Sequence, residues 1–350
     1  LFGVVGRKAE IKVIDPEKPV LEIEGMPITI LRKARDPKDI NWLEEGVRIV
    51  VDCTGNFLDP NITPEKGVPC LRGHLAAGAL KVICSAPFKS KAAVMEDNPD
   101  TITMIYGINH LNYDPQKHHI ISAASCTTTG LAHMIKPLLE HKETANIMTA
   151  SMSTIHAATN SQSILDSVPK AGASDLRKTR SVFNNIILST TGVSKALELV
   201  MPEIKNIGFM ADSVRIPTNT VSLINLNVTF HAELNELGQP NITRKLINDI
   251  YKQAAEGPQN GLLMYTERQN VSADMIGNMA AVVIEANETH TRTSFIAVPP
   301  KTLKELGAPE DKTVYMPVTH AKIFGWYDNE LGSYTNCLSR LINYIDETTP

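Results

Sequence analysis

The sequence predicts an α/β chain in two parts, a domain built on buried parallel strands followed by an α+β domain built on an antiparallel sheet. Three observations carry this reading. Short apolar runs recur in the first third at crossover-length spacing: "VRIVVDCTG" (47–55), "KVICSAP" (81–87) and "HHIISAASC" (118–126). Such runs read as parallel strands of a doubly wound sheet, covered on both faces. From the middle onward the pattern changes to strict alternation, as in "SLINLNVTF" (222–230). There Ile224, Leu226, Val228 and Phe230 fall on one face of a half-buried strand.

Taken in order, "KAEIKVI" (8–14) reads as a first strand, followed by the three parallel runs. Each run ends in small or hydroxyl residues: Thr54-Gly55, Ser85-Ala86-Pro87 and Ser125-Cys126. Ligands bind beyond the carboxyl ends of parallel strands. After Cys126 the spacing of Leu131, Met134, Ile135, Leu138 and Leu139 predicts a helix. "MSTIHAATNSQ" (152–162) reads as a strand ending in hydroxyls, and "LSTTGVSKALELV" (188–200) as a helix begun by a hydroxyl-glycine turn. In "SVRIPTNTVS" (213–222) Pro217 marks a strand-to-loop bend just after Arg215. "ITRKLINDIYKQAAEG" (242–257) is an amphipathic helix stopped by Gly257, and Tyr334, Leu338, Leu341 and Ile345 predict a closing helix over 331–346.

The totals narrow the function. At 350 residues the chain has room for two domains, and 43% hydrophobic with 21% charged residues is ordinary for a water-soluble fold. A net charge of −4 supplies no basic field for nucleic acid. No apolar stretch is long enough to span a membrane, and the N-terminus lacks the pattern of a secretory signal. Five irregularly spaced cysteines suggest neither a disulfide framework nor a metal site, so a reducing cytoplasm is expected. Leu1 in place of an initiator Met suggests a processed or incomplete chain.

Cys126 draws attention because it stands among hydroxyls where a strand becomes a helix. Free N–H groups and the positive end of the helix dipole favour a thiolate or a bound phosphate there. A buried cysteine followed by Ser/Thr caps would leave the same trace. His156 is the natural base, thirty residues on. His110, His118, His119 and His133 read as structural. Thr191, Gly192 and Arg215 suit an anion, and Lys170, Arg177, Lys178 and Arg180 gather in one loop of an acidic chain.

In order, "SAASCTTTGLA", "STIHAATNSQ", "LSTTGVSKAL", "VRIPTNTVS" and "WYDNELGSY" closely resemble the motifs of phosphorylating glyceraldehyde-3-phosphate dehydrogenases, with "VDCTGNF", "VICSAP" and "YGINH" in place between them. The resemblance covers nearly the whole chain. It implies a partial Rossmann-type dinucleotide-binding domain over 1–125, a catalytic domain over 126–327, and a C-terminal helix over 328–350 returning to the first domain. It further implies that Cys126 attacks the aldehyde of glyceraldehyde 3-phosphate while His156 takes the proton. Ser125, Thr127, Thr191 and Gly192 would hold inorganic phosphate, and Thr159, Ser161 and Arg215 the phosphate of the substrate. Thr54, Gly55, Ser85 and Asn329 would bind NAD or NADP. A cytoplasmic homotetramer acting in glucose metabolism, with no metal, nucleic acid or membrane partner, completes the implied picture.

The chain departs from the pattern at its front. The family's first strand, glycine turn and ribose-binding acid have no counterpart; "FGVVGR" (2–7) has the wrong glycine order, and a missing first βαβ unit is expected. Without it, cofactor binding by these 350 residues should be weak. Ala123 and Thr129 replace asparagines, Gly130 a common cysteine, Lys178 an arginine and Ser333 a tyrosine, and residues 298–314 resemble extra chain. An erythrose-4-phosphate dehydrogenase, a cofactor-independent Cys/His acyltransferase and a non-catalytic oligomeric binding protein are the competing readings.

Overall fold

The computed structural model describes residues 9–15, 19–32, 34–90, 98–169, 171–307 and 312–350. "FGVVGR", Lys170 and residues 308–311 of the extra segment lie outside the described residues. The chain divides into two compact units: residues 1–104, 111–124 and 341–350 form one, and residues 105–110 and 125–340 the other. Among the described residues the strands build three sheets.

In the first unit β1 (Ile11–Asp15), β2 (Val20–Ile23) and β3 (Met26–Thr29) make an antiparallel meander. Four further strands, β4 (Ile49–Asp52), β5 (Lys81–Cys84), β6 (Thr101–Thr103) and β7 (Ile120–Ser122), are all parallel in the order β4-β5-β7-β6. The uninterrupted apolar runs form them because both faces are covered, as in β5, where every residue is buried. Val82, Cys84 and Ile120 pack with Leu71 of helix α1 (Leu71–Ala76), with Phe57 and Leu58 against them.

The second unit is an eight-stranded mixed sheet with helices on one face. Its strands are β8 (Ile147–His156), β9 (Ile187–Thr190), β10 (Gly208–Arg215), β11 (Ser222–His231), β12 (Leu263–Thr266), β13 (Val282–Glu285), β14 (His290–Val298) and β15 (Val314–Tyr327). The alternation in β11 comes out as expected: Ile224, Leu226, Val228 and Phe230 are buried, the residues between them half-buried. β11 lies antiparallel between β8 and β15, pairing Ile224 with both Thr154 and Gly325. Against this face lies helix α2 (Cys126–Glu140), which buries Leu131, Met134, Ile135 and Leu138. Burial stabilises by about 1.5–3 kcal/mol per large apolar side chain. Glycines let helix and sheet approach: a Cβ on Gly325 would lie 2.6 Å from Met134 Sδ, and one on Gly130 3.2 Å from Ile224 Cδ1.

Helices α3 (Val193–Val200), α4 (Arg244–Glu256) and α5 (Pro300–Glu305) follow, with α4 capped by Thr243 and stopped at Gly257. The segment 298–314 joins β14 to β15 and contains α5. The closing helix α6 runs Ser333–Thr348. Its buried stripe is Ser333, Cys337, Leu341 and Ile345, whereas Tyr334 and Leu338 are half-buried. No helix among the described residues is long and apolar enough to cross a membrane.

Candidate active site

Cys126 is the first residue of α2. Ala124, at φ 56°, takes the left-handed conformation that turns the chain from β7 into the helix. Ser125 caps the helix by accepting from the Thr128 N–H at 3.1 Å, and its Oγ also meets Thr128 Oγ1 at 2.8 Å. Cys126 is partly exposed. Its Sγ lies 3.6 Å from Nε2 of His156, the last residue of β8.

His156 is held from behind. Its Nδ1 lies 2.8 Å from the Ala157 carbonyl, so an Nδ1–H donor leaves the Nε2 lone pair facing the thiol. Arg215, opposite His156 in the parallel register of β10 and β8, brings Nη1 2.5 Å from Nδ1 and donates to the Ala157 carbonyl at 3.2 Å. Burial and the Arg215 charge push the His156 pKa down to about 4, so the ring is a neutral base at pH 7. Burial also pushes the Cys126 thiol up, against the Thr127 hydrogen bonds and Arg215 charge that favour the thiolate. The helix start does not by itself ionise this cysteine. A base within reach is therefore required.

The other candidates fall into groups. Thr159 Oγ1 and Ser161 Oγ are 2.9 Å apart just beyond β8, with Gln162 Oε1 accepting from the Thr159 N–H and hydroxyl. Arg215 instead donates to the Ala157 carbonyl and lies beside His156 Nδ1, acting on the ring through its charge. Thr191 Oγ1 accepts from the Val193 N–H at 3.3 Å, and Gly192 is the N-cap of α3. Asn329 Oδ1 accepts from Ser222 Oγ at 2.9 Å, which presents its amide N–H groups as donors. In the first unit, Thr54 and Gly55 form an exposed turn after β4, Gly55 at φ 67° with open space beside it, and Ser85 follows β5.

Residues 125–299 match the family model for the glyceraldehyde 3-phosphate dehydrogenase C-terminal domain. The chain is 36% identical over 344 residues to a glyceraldehyde-3-phosphate dehydrogenase of Streptomyces coelicolor, covering 98% of this chain and 84% of that protein. It is 36% identical to one from Geobacillus stearothermophilus and 35% to glyceraldehyde-3-phosphate dehydrogenase 1 of Bacillus subtilis, each match covering 93% of this chain and 79% of the relative. The chain belongs to the glyceraldehyde-3-phosphate dehydrogenase family.

Within this family member, three residues that sequence reasoning passed over join the site. The Tyr327 hydroxyl lies 2.8 Å from both Thr127 Oγ1 and Thr154 Oγ1, tying the turn of the nucleophile to the strand of the base. Its ring stands edge-on to His156, with centroids 6.0 Å apart. Gln162 organises the Thr159–Ser161 turn. Tyr327 was visible in "WYDNE", and Thr154 in the strand leading to His156. His133 is structural: Gln259 Nε2 lies 2.8 Å from its Nδ1, the Tyr106 carbonyl 3.1 Å from its Nε2, and burial pushes its pKa down to about 4.

Proposed function

We propose that this chain is a phosphorylating glyceraldehyde-3-phosphate dehydrogenase whose nucleophile is Cys126 and whose base is His156. The observation that carries the assignment of residues is the 3.6 Å approach of Cys126 Sγ to His156 Nε2 at a helix N-terminus. His156 Nε2 takes the thiol proton as sulfur adds to the aldehyde carbon. The resulting oxyanion is met by the Cys126 N–H, with the protonated His156 as second donor. A bound nicotinamide dinucleotide would supply the hydride acceptor, and Cys126 would be left carrying the thioester. Inorganic phosphate, held by Ser125, Thr127, Thr191 and Gly192, then cleaves it to 1,3-bisphosphoglycerate. Thr159, Ser161 and Arg215 receive the substrate phosphate; here Arg215 serves two roles, since it also keeps His156 neutral.

The residues present fit a nicotinamide dinucleotide, NAD or NADP. Asn329 offers amide donors for a carboxamide oxygen, and the open turn at Gly55, at the end of a parallel strand, admits a close backbone approach. Thr54, Gly55 and Ser85 serve the cofactor from residues 1–125, and residues 126–327 carry the chemistry. A homotetramer fits the exposed apolar side chains of residues 160–188, among them Ile164, Leu165, Val168 and Ile186, and the open face of the large sheet. Five unbridged cysteines fit the cytoplasm.

The test is parallel assay of glyceraldehyde 3-phosphate and erythrose 4-phosphate with NAD and NADP, with and without inorganic phosphate. Phosphate-dependent oxidation of the triose is expected. Faster oxidation of the tetrose, or turnover without a dinucleotide, would reject the proposal.

A further inference from the structure

A line of polar side chains runs through the first unit to the turn assigned to the cofactor. The Trp42 indole N–H donates to His74 Nδ1 at 3.0 Å. An indole can only donate, so Nδ1 is the acceptor and His74 carries its proton on Nε2. That nitrogen faces Asp52 Oδ2 at 3.4 Å. Asp52, the last residue of β4, uses its other oxygen to accept from the Thr54 N–H at 2.8 Å and the Thr54 hydroxyl at 2.7 Å. Thr54 Oγ1 in turn accepts from the Asn56 N–H at 3.2 Å, closing the turn around Gly55. The Asp52 carbonyl also accepts from the Ser85 N–H at 2.9 Å. One residue thus holds both segments, Thr54-Gly55 and Ser85, that the proposed function gives to the dinucleotide.

Asp52 and His74 are each only 5% exposed. A buried carboxylate is costly unless its oxygens are filled. Burial pushes the Asp52 carboxyl up, but the bonds from His74 and Thr54 prevail and hold it below the ordinary range. Trp42 meets His74, and His74 meets Asp52, so the line from both to the Thr54 turn passes through Asp52.

We propose that Trp42 and His74 are positioning residues for cofactor binding: Trp42 sets the tautomer of His74, His74 orients Asp52, and Asp52 clamps the Thr54-Gly55 turn in its binding shape. This rests on the reading that the turn receives the dinucleotide, and the experiment separates the two claims.

In the natural protein, His74→Leu, His74→Gln, Trp42→Phe and Thr54→Val are compared by KM for the dinucleotide, KM for the aldehyde, kcat and melting temperature. His74→Leu should raise the dinucleotide KM about tenfold, as loss of a hydrogen bond to a charged group predicts. The aldehyde KM and kcat at saturating dinucleotide should stay within about twofold. Gln offers an N–H to Asp52 and an oxygen to Trp42, so His74→Gln should recover most of the loss. Trp42→Phe should fall between the two. An unchanged dinucleotide KM in Thr54→Val removes the cofactor reading of the turn, and this inference with it. A raised KM in Thr54→Val beside a normal KM in a folded His74→Leu overturns the inference alone. So does a Gln variant no better than Leu, or loss spread equally over both substrates. Should His74→Leu fail to fold, Gln and Trp42→Phe decide by the same ratios.

Discussion

At the scale of single residues, Cys126 and His156 stand out in the sequence because each sits at an element boundary rich in hydroxyls, and the structure puts them 3.6 Å apart. Arg215 reads in the sequence as an anion ligand; its place beside His156 depends on the parallel register of β8 and β10, which no periodicity reveals. That place gives a signed prediction. The Arg215 charge helps hold the His156 pKa near 4, so Arg215→Ala should raise it, and the acid limb of the pH profile should move to higher pH. The pH dependence of Cys126 alkylation is the measurement, and an unmoved limb would detach Arg215 from the base. Arg215→Ala should also raise the aldehyde KM, whereas Thr191→Ala should act mainly on the phosphate requirement; identical effects would merge the two proposed phosphate sites. His156→Asn should slow turnover by about 10²–10⁴-fold at neutral pH. Among the other cysteines, Cys84 and Cys337 are pushed up to about 12 by burial, and Cys70 is buried and raised as well. Exposed Cys53 is the competitor that an alkylation experiment must resolve.

At the scale of elements, periodicity found the strands and helices but not their neighbours. Tyr327 was a letter in a motif. Its role follows from strand order, which puts β11 between β8 and β15, so that its hydroxyl bridges Thr127 and Thr154 across the face of the sheet. Tyr327→Phe should therefore leave the ring packed and lose about 1–3 kcal/mol of stability, since both partner hydroxyls lie buried. Unfolding in denaturant measures this, and an unchanged midpoint would show that the hydroxyl bridges nothing of consequence. α6 shows the complementary limit. Counting large apolar residues put Tyr334, Leu338, Leu341 and Ile345 on its stripe; Leu341 and Ile345 are buried, but small Ser333 and Cys337 are buried where Tyr334 and Leu338 are only half so. Close approach also explains Gly325, where Gly325→Ala should destabilise by about 1–3 kcal/mol through overpacking against Met134 and Val282.

At the scale of the whole molecule, the buried histidines His133 and His156 link stability to pH. His133 and His156 both have pKa values near 4, below the unfolded value of about 6.5. The unfolded chain binds more protons between these values, so stability should fall as pH drops from 6.5 towards 4, by up to about 3 kcal/mol for each fully shifted histidine. A melting curve for His133→Gln flatter than wild type over that window is expected; parallel curves would place the acid sensitivity elsewhere. The two-part architecture was legible from the change between continuous and alternating apolar runs, but the order of eight strands was not, because sheet order is set by long-range pairing. The central claim concerns Cys126, and it can be read directly. The protein is given glyceraldehyde 3-phosphate and its dinucleotide without inorganic phosphate, and the trapped peptides are weighed by mass spectrometry. The account predicts an acyl group on Cys126, released as 1,3-bisphosphoglycerate when phosphate is added, and absent from Cys126→Ser. An acyl group on another residue, or undiminished turnover by Cys126→Ser, would contradict it.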